Sequence, residues 1–273
     1  MPGANARALD KARSLPADAL ILDLEDSVAP EAKIEARDLI AAQLAQGGYG
    51  SRELVVRVNG LESAWACDDF AMAAESAADA ILVPKVNHPD DLQKAAVLAR
   101  GKPLWAMMES PRAVLNALAI ADSRLASCFI IGTNDLIKES RMRAEQARFA
   151  LISSLSMIVL AARAGGQDVI DGVYNDFRNE AGFLAECEQG KLLGMDGKTL
   201  IHPSQLGPAN ELFAPSADEI AQAQKIIAAF QAPEAQGKGV ITVEGRMVER
   251  LHLEMAERTA QIARAIAEKN HGE

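Results

Sequence analysis

Two acidic side chains each close an apolar run. In CFIIGTNDL (128–136) an apolar stretch breaks at Gly132 into a polar tip that ends in Asp135. Upstream, LWAMMES (104–110) ends the same way at Glu109. Carboxylates at the carboxyl ends of apolar strands are what an α/β barrel uses to hold a divalent cation in its mouth. Mg²⁺ suits such a pair, because it takes one or two carboxylates and completes its shell with waters and substrate oxygens. Either acid alone could equally cap the helix that follows it, since acids are favoured at helix N-termini. Their coincidence with Arg57 and the DLED acids favours the metal reading.

Other polar residues gather at the same strand ends: Asp23, Glu25 and Asp26; Asn59 beside Arg57; Lys85; Asn134; Tyr174, Asn175 and Asp176; Lys198 and His202. Arg57 closes VVRVN, where a buried guanidinium needs anionic partners. It could pair with Glu25 or Asp26, or grip a substrate carboxylate with two parallel bonds. Lys85, after the Pro of LVPK, is either a solvated rim residue or a substrate contact. His202 fits a loop contact better than catalysis. Ser110 lacks the GxSxG elbow of a nucleophilic serine.

The elements that must position these residues are short apolar runs alternating with helical patterns. Strands are predicted at 19–26, 53–60, 80–86, 104–110, 128–136, 168–177 and 198–204. Each is apolar on both faces, as a parallel sheet covered by helices requires. Helices are predicted at 5–15, 30–46, 66–77, 89–99, 111–120, 145–164 and 178–194, with Pro30, Pro89 and Pro111 in first-turn positions. The alternation predicts βαβ units and a (β/α)₈ TIM barrel lacking its first strand, which would precede Pro2-Gly3. A doubly wound sheet is the alternative, but no GxGxxG follows an early strand. Two further helices, 216–231 and 245–268, are surplus to the barrel. The expected division is therefore a catalytic barrel over 1–210 and a helical extension or lid over 211–273.

The 273 residues, 49% hydrophobic but only 4% aromatic, suit helices packed around a sheet. A net charge of −10 disfavours nucleic acid as a partner while leaving room for a small anionic ligand. Cys67, Cys128 and Cys187 are odd in number and widely spaced, which argues against a disulfide framework. The chain carries neither a spanning apolar run nor a signal-peptide core, so a cytoplasmic protein without a membrane partner is expected.

The motifs PGANARALDKA (2–12), LDLEDSVAPEAK (22–33), VRVNG (56–60), VPK (83–85), MMESP (107–111), GTNDL (132–136), DGVYNDF (171–177) and GMDGKTLIHPSQ (194–205) run in order along the chain. Together they resemble the citrate lyase β-subunit-like branch of the malyl-CoA and citramalyl-CoA lyases, within the HpcH/HpaI aldolase superfamily. That resemblance implies Mg²⁺ held by Glu109 and Asp135. It implies that Arg57 binds the oxygens of the acid product, ordered by Glu25 and Asp26, with Asn134 and Lys85 lining the substrate. CoA phosphates would lie near Arg7 and Lys11. The implied activity is cleavage of a 3-hydroxyacyl-CoA to a 2-oxo acid and an acyl-CoA.

One departure matters. EGRMVERLH places Glu249 where family lyases carry a catalytic Asp, on a lid that reaches a neighbouring subunit of a homotrimer. GTNDL followed by Lys138-Glu139, together with VERLH, looks most like a malyl-CoA thioesterase sub-branch. In that reading the same metal would serve hydrolysis. A third possibility is a non-catalytic or complex-bound subunit of a lyase that works on an acyl-carrier protein.

Overall fold

The computed structural model describes residues 1–143, 147–232 and 235–272. Seven strands form one sheet: β1 (Ala19–Asp23), β2 (Glu53–Arg57), β3 (Ala80–Val83), β4 (Leu104–Met108), β5 (Ala126–Ile131), β6 (Asp168–Asp171) and β7 (Gly197–Lys198). They lie in sequence order and every neighbouring pair is parallel. The connections carry α1 (Ala6–Lys11), α2 (Lys33–Gln46), α3 (Ala66–Glu75), α4 (Pro89–Ala99), α5 (Pro111–Leu115), α6 (Ala117–Asp122), α7 (Thr133–Glu139), α8 (Ala147–Ala150), α9 (Ile152–Gly165) and α10 (Glu180–Leu193). Beyond β7 come α11 (Leu206–Phe213), α12 (Ala217–Gln231), a hairpin of β8 (Val240–Val243) and β9 (Arg246–Glu249), and α13 (Arg250–Gly272).

Side-chain alternation decides between barrel and open sheet. Successive strand residues point to opposite faces. Leu20, Leu22, Val56, Ile81, Val83, Ala106, Phe129 and Ile131 share one core with helix residues such as Ile40, Phe70, Leu92 and Ile158. The intervening residues Val55, Ala80, Leu82, Trp105, Met107, Cys128 and Ile130 form a second core of strand residues alone. A sheet whose second face buries itself against itself is curled, with its helices on the outside. That excludes the doubly wound alternative, which needs helices on both faces. Each fully buried Leu, Ile or Phe in these layers contributes about 2 kcal/mol of hydrophobic stabilisation.

Helix starts follow the prolines. Pro89 and Pro111 open α4 and α5, behind His88 and Ser110 as side-chain caps, and Pro30 opens a 3₁₀ turn before α2. Other boundaries differ from expectation for local reasons. The helix predicted over 111–120 breaks at Asn116, whose side chain leaves to donate to Asn87 O at 2.7 Å. The predicted strand 198–204 stops after Lys198: the Thr199 N–H makes the last ladder bond, to Asp171 O, and its hydroxyl bonds the same carbonyl. The predicted strand 128–136 ends at Ile131, so Asp135 stands in the first turn of α7. Residues 245–249 belong to the hairpin rather than a helix, since Glu244 and Gly245 take the two positive φ angles of a tight turn. The helix predicted over 145–164 divides into α8 and α9, and its residues 145 and 146 lie outside the described residues.

Two compact units are present, Met1–Ala209 and Asn210–Glu273. In the first, Met1–Gly3 run beside the end of β1: Asp23 N donates to Met1 O and Gly3 N to Asp23 O, both at 2.9 Å. A Cβ on Gly3 would stand 2.6 Å from Asp23 O, so only glycine fits this approach. In the second, α12 packs on α13 and on β8. Among the described residues no helix is long and apolar enough to cross a membrane.

Candidate active site

The alternation that builds the inner core also delivers Asp23, Arg57 and Glu109 to its rim. Each stands two residues beyond an inward-facing one: Ile21, Val55 and Met107. Asp23 and Arg57 are register partners across β1 and β2. Arg57 Nε and Nη2 donate to Asp23 Oδ1 and Oδ2 at 2.6 and 2.7 Å, while Nη1 lies 3.0 Å from Glu25 Oε2 and 3.9 Å from Asp26. Sequence reasoning gave Arg57 to Glu25 or Asp26; its two-pronged partner is Asp23, which strand register would have identified.

Burial alone would raise the Asp23 carboxyl, but the Arg57 bonds outweigh it and hold it at about 2. A carboxyl depressed on folding stabilises the protein above its unfolded value near 4 and loses that contribution as pH falls toward 2. The expected size is about 2 kcal/mol. Denaturant unfolding between pH 5 and pH 2 should therefore show an acid limb that Asp23→Asn diminishes. An unchanged limb in the variant would refute the pairing.

Glu25 is buried and bridges two cations, with Lys85 Nζ on Oε1 at 2.6 Å and Arg57 near Oε2, which accepts no hydrogen bond from the described residues. Burial lifts its carboxyl above the ordinary value despite both cations. Burial would lower the Lys85 ammonium, but Glu25 reverses this and raises it. The turn bearing Glu25 is anchored by Lys33, a residue sequence reasoning passed over. Its buried amine donates to Leu24 O and Glu25 O at 2.8 and 2.7 Å and lies 5.4 Å from the Trp65 ring centre. The Lys closing LDLEDSVAPEAK was the available signal.

Glu109 is 2% exposed, and Lys85 N donates to its Oε1 at 2.6 Å. Burial, reinforced by the charges of Glu25 and Asp135, pushes its carboxyl up to about 7. A buried carboxylate raised by neighbouring acids is a place where a cation restores electrostatic balance. No group of three or more metal-ligating side chains occurs among the described residues. A hard ion such as Mg²⁺ needs only one or two carboxylates and draws its remaining ligands from water and substrate, a set that Glu109 and Asp135 could supply. Gly132 leaves the space, since a Cβ there would stand 2.3 Å from Glu109 Cβ and 2.6 Å from Oε2.

Asn134 is exposed and exchanges side-chain hydrogen bonds with Asn175 at 2.7 and 3.3 Å. Arg7 and Lys11 stand exposed, one turn apart on α1. Asp26 is exposed at the edge of the Arg57 cluster. Glu249 ends β9, its backbone N–H donating to His252 Nδ1 at 3.0 Å. Lys198 is not a mouth residue. Asp171 shares the outward parity of Val169, and the fully buried Lys198 amine binds Asp171 and Glu186 at 2.9 and 2.6 Å. Arg148 completes that cluster with two bonds to Asp171. His202 stacks on Phe177, ring centres 4.5 Å apart, and caps the Pro203–Gln205 turn.

A curled parallel sheet with buried acids and two cations converging at its carboxyl rim has the layout of an α/β-barrel enzyme, whose active site lies at that end of the strands. The chain belongs to the HpcH/HpaI aldolase/citrate lyase family, which it matches over residues 1–203. It is 50% identical to a (3S)-malyl-CoA thioesterase of Cereibacter sphaeroides over 98% of this chain and 94% of that protein. It is 35% identical to the citrate lyase subunit beta of Escherichia coli, covering 91% and 86%. Among solved structures it resembles CitE of Mycobacterium tuberculosis in complex with magnesium, acetoacetate and coenzyme A. That match has a TM-score of 0.78 at 27% identity and covers 96% of both chains.

Proposed function

We propose that this protein is a Mg²⁺-dependent carbon–carbon lyase for a 3-hydroxyacyl-CoA such as malyl-CoA, citramalyl-CoA or citryl-CoA. The observation that carries the reading is Glu109: a buried carboxyl at the rim that also holds Arg57 and Lys85, raised to about 7 by burial and by the charges of Glu25 and Asp135. The solved CitE complex with magnesium and coenzyme A supports the cofactor and the substrate class. In this reading Glu109 and Asp135 hold the ion, which when bound polarises the substrate's hydroxyl and carboxylate oxygens. Arg57, locked to Asp23 along one edge, keeps its remaining N–H groups for the carboxylate of the acid half. Lys85 stays cationic and adds charge beside it, and Asn134 contributes an amide at the rim. Glu25, whose Oε2 accepts no hydrogen bond from the described residues, takes the hydroxyl proton as the C–C bond breaks. Asp26 keeps that corner acidic. The electron pair passes to the thioester as an enolate, and a proton returned to its carbon, assigned to Glu249, completes the acyl-CoA.

A second reading, hydrolysis, is favoured by the 50% identity to a malyl-CoA thioesterase. The same rim would hold the hydroxy acid while Glu249 takes a proton from water attacking the thioester carbonyl, giving malate and free CoA. A complex-bound subunit lacking its own catalysis is the third reading, and co-purifying partner subunits would support it. Arg7 and Lys11 on α1 are assigned to the CoA phosphates, and Glu249 is assigned to a neighbouring copy in a homotrimer. The apolar stripe Leu251, Met255, Ile262 and Ile266 on α13 supports such self-association. Free cysteines accord with a cytoplasmic setting.

Incubation with malyl-CoA and Mg²⁺ tests the proposal. Glyoxylate with acetyl-CoA is expected of the lyase, malate with CoA of the thioesterase. Neither pair forming, with citryl-CoA and citramalyl-CoA also left intact, would overturn both enzymatic readings.

A further inference from the structure

Among the described residues of the rim, Lys85 has a backbone out of the ordinary. It adopts φ +55°, a left-handed conformation that side-chain-bearing residues seldom take, between Pro84 and Val86. That conformation turns its N–H onto Glu109 Oε1 at 2.6 Å. Asn87 braces the turn: its Nδ2 donates to Lys85 O at 3.0 Å, and its Oδ1 accepts from the Ser110 hydroxyl, next in sequence to Glu109. Asn87 is itself pinned, with its N–H on Asp91 Oδ2 at 2.9 Å and its carbonyl bonded by Asn116 Nδ2 at 2.7 Å. The loops after β3 and β4 are thus stitched together on either side of Glu109.

The two oxygens of Glu109 therefore face different surroundings. Oε1 is committed to the Lys85 N–H on the β3 side. Oε2 accepts no hydrogen bond from the described residues and lies over Gly132, on the side of β5 and Asp135. We propose that the left-handed Lys85 peptide, braced by Asn87, makes Glu109 a one-oxygen ligand through Oε2 and so sets a preference for Mg²⁺ over Ca²⁺. Mg²⁺ demands a compact octahedron of single oxygens at ~2.1 Å, whereas Ca²⁺ readily accepts both oxygens of one carboxylate at ~2.3–2.6 Å. Asn87 is on this account a positioning residue. The inference rests on the Mg²⁺ assignment made above.

Titration calorimetry of the full chain with Mg²⁺ alone and Ca²⁺ alone tests it, with thermal unfolding as the control for folding. Wild type should bind Mg²⁺ more tightly than Ca²⁺. Asn87→Ala should weaken Mg²⁺ by about 10-fold or more, the usual cost of losing support behind a metal ligand, and Ca²⁺ by less. Adding Lys85→Gly should restore the Mg²⁺ to Ca²⁺ ratio, because glycine holds φ +55° without a brace. A ratio unchanged in Asn87→Ala, or both metals weakened equally, would overturn the inference while leaving the metal site standing. Should Asn87→Ala fail to fold, Ser110→Ala decides, because it frees Asn87 Oδ1 from the β4 loop: Mg²⁺ should weaken more than Ca²⁺, and an unchanged ratio overturns the proposal. A wild type that takes up no Mg²⁺ overturns the metal assignment itself.

Discussion

Glu109→Gln is expected to stabilise the metal-free protein at pH 8 while abolishing its uptake of Mg²⁺. The amide keeps the volume and can still accept the Lys85 N–H, but it carries no charge for a hard cation. Below about pH 4.5 the carboxyl is protonated in folded and unfolded chains alike, so burial exacts nothing. Above about pH 7 it is ionised in both, and the folded chain bears the full cost of a buried charge, about 3 kcal/mol. Stability of the wild type therefore falls as pH rises through this window, and the variant escapes the fall. In chelator at pH 8 the variant should melt several degrees higher, with the gap closing toward pH 5. A variant that melts at or below wild type at pH 8 would show that Glu109 is not a strained carboxylate awaiting a cation.

Arg57→Lys should reduce kcat/KM on whichever of the malyl-, citramalyl- and citryl-CoA esters is turned over by roughly 100-fold, a loss of about 3 kcal/mol in transition-state stabilisation. Lysine retains the charge but can satisfy only part of the Asp23 and Glu25 pairing, and it has no planar edge left for a substrate carboxylate. The stability change measured alongside separates anchoring from recognition. A kinetic loss below threefold, whatever the stability, would assign Arg57 to the scaffold alone.

Much of this arrangement was legible in the sequence because strands with two buried faces carry few charges. A charge at such a strand's end stands out, as Arg57, Glu109 and the DLED acids do. What sequence could not settle was which neighbour each charge meets. Arg57 pairs with Asp23 because β1 and β2 share a register, and register is a property of two strands together. Lys198 looked like a rim residue, yet Asp171 points outward on β6 and draws the amine beneath the helices. Asp135 was placed at a strand end, but the turn at Gly132 had already become a helix. Asn87 and Lys33 escaped notice for a different reason: they act through backbone carbonyls, and nothing in an Asn or Lys side chain announces that.

The unequal edges of the sheet bear on how the molecule avoids its own kind while folding. A parallel sheet that does not close presents rows of unpaired backbone groups to any passing strand, a template for misassembly. Here β7 is only two residues long, so a newcomer finds almost no ladder to extend. Its Lys198 amine is also tethered between Asp171 and Glu186, which holds the short strand in place. At the opposite edge, Met1 O and Gly3 N already occupy the N–H and carbonyl of Asp23. The short, tethered β7 gives strand addition little purchase at its own edge, so the apolar strands beside it can be kept without a long open ladder.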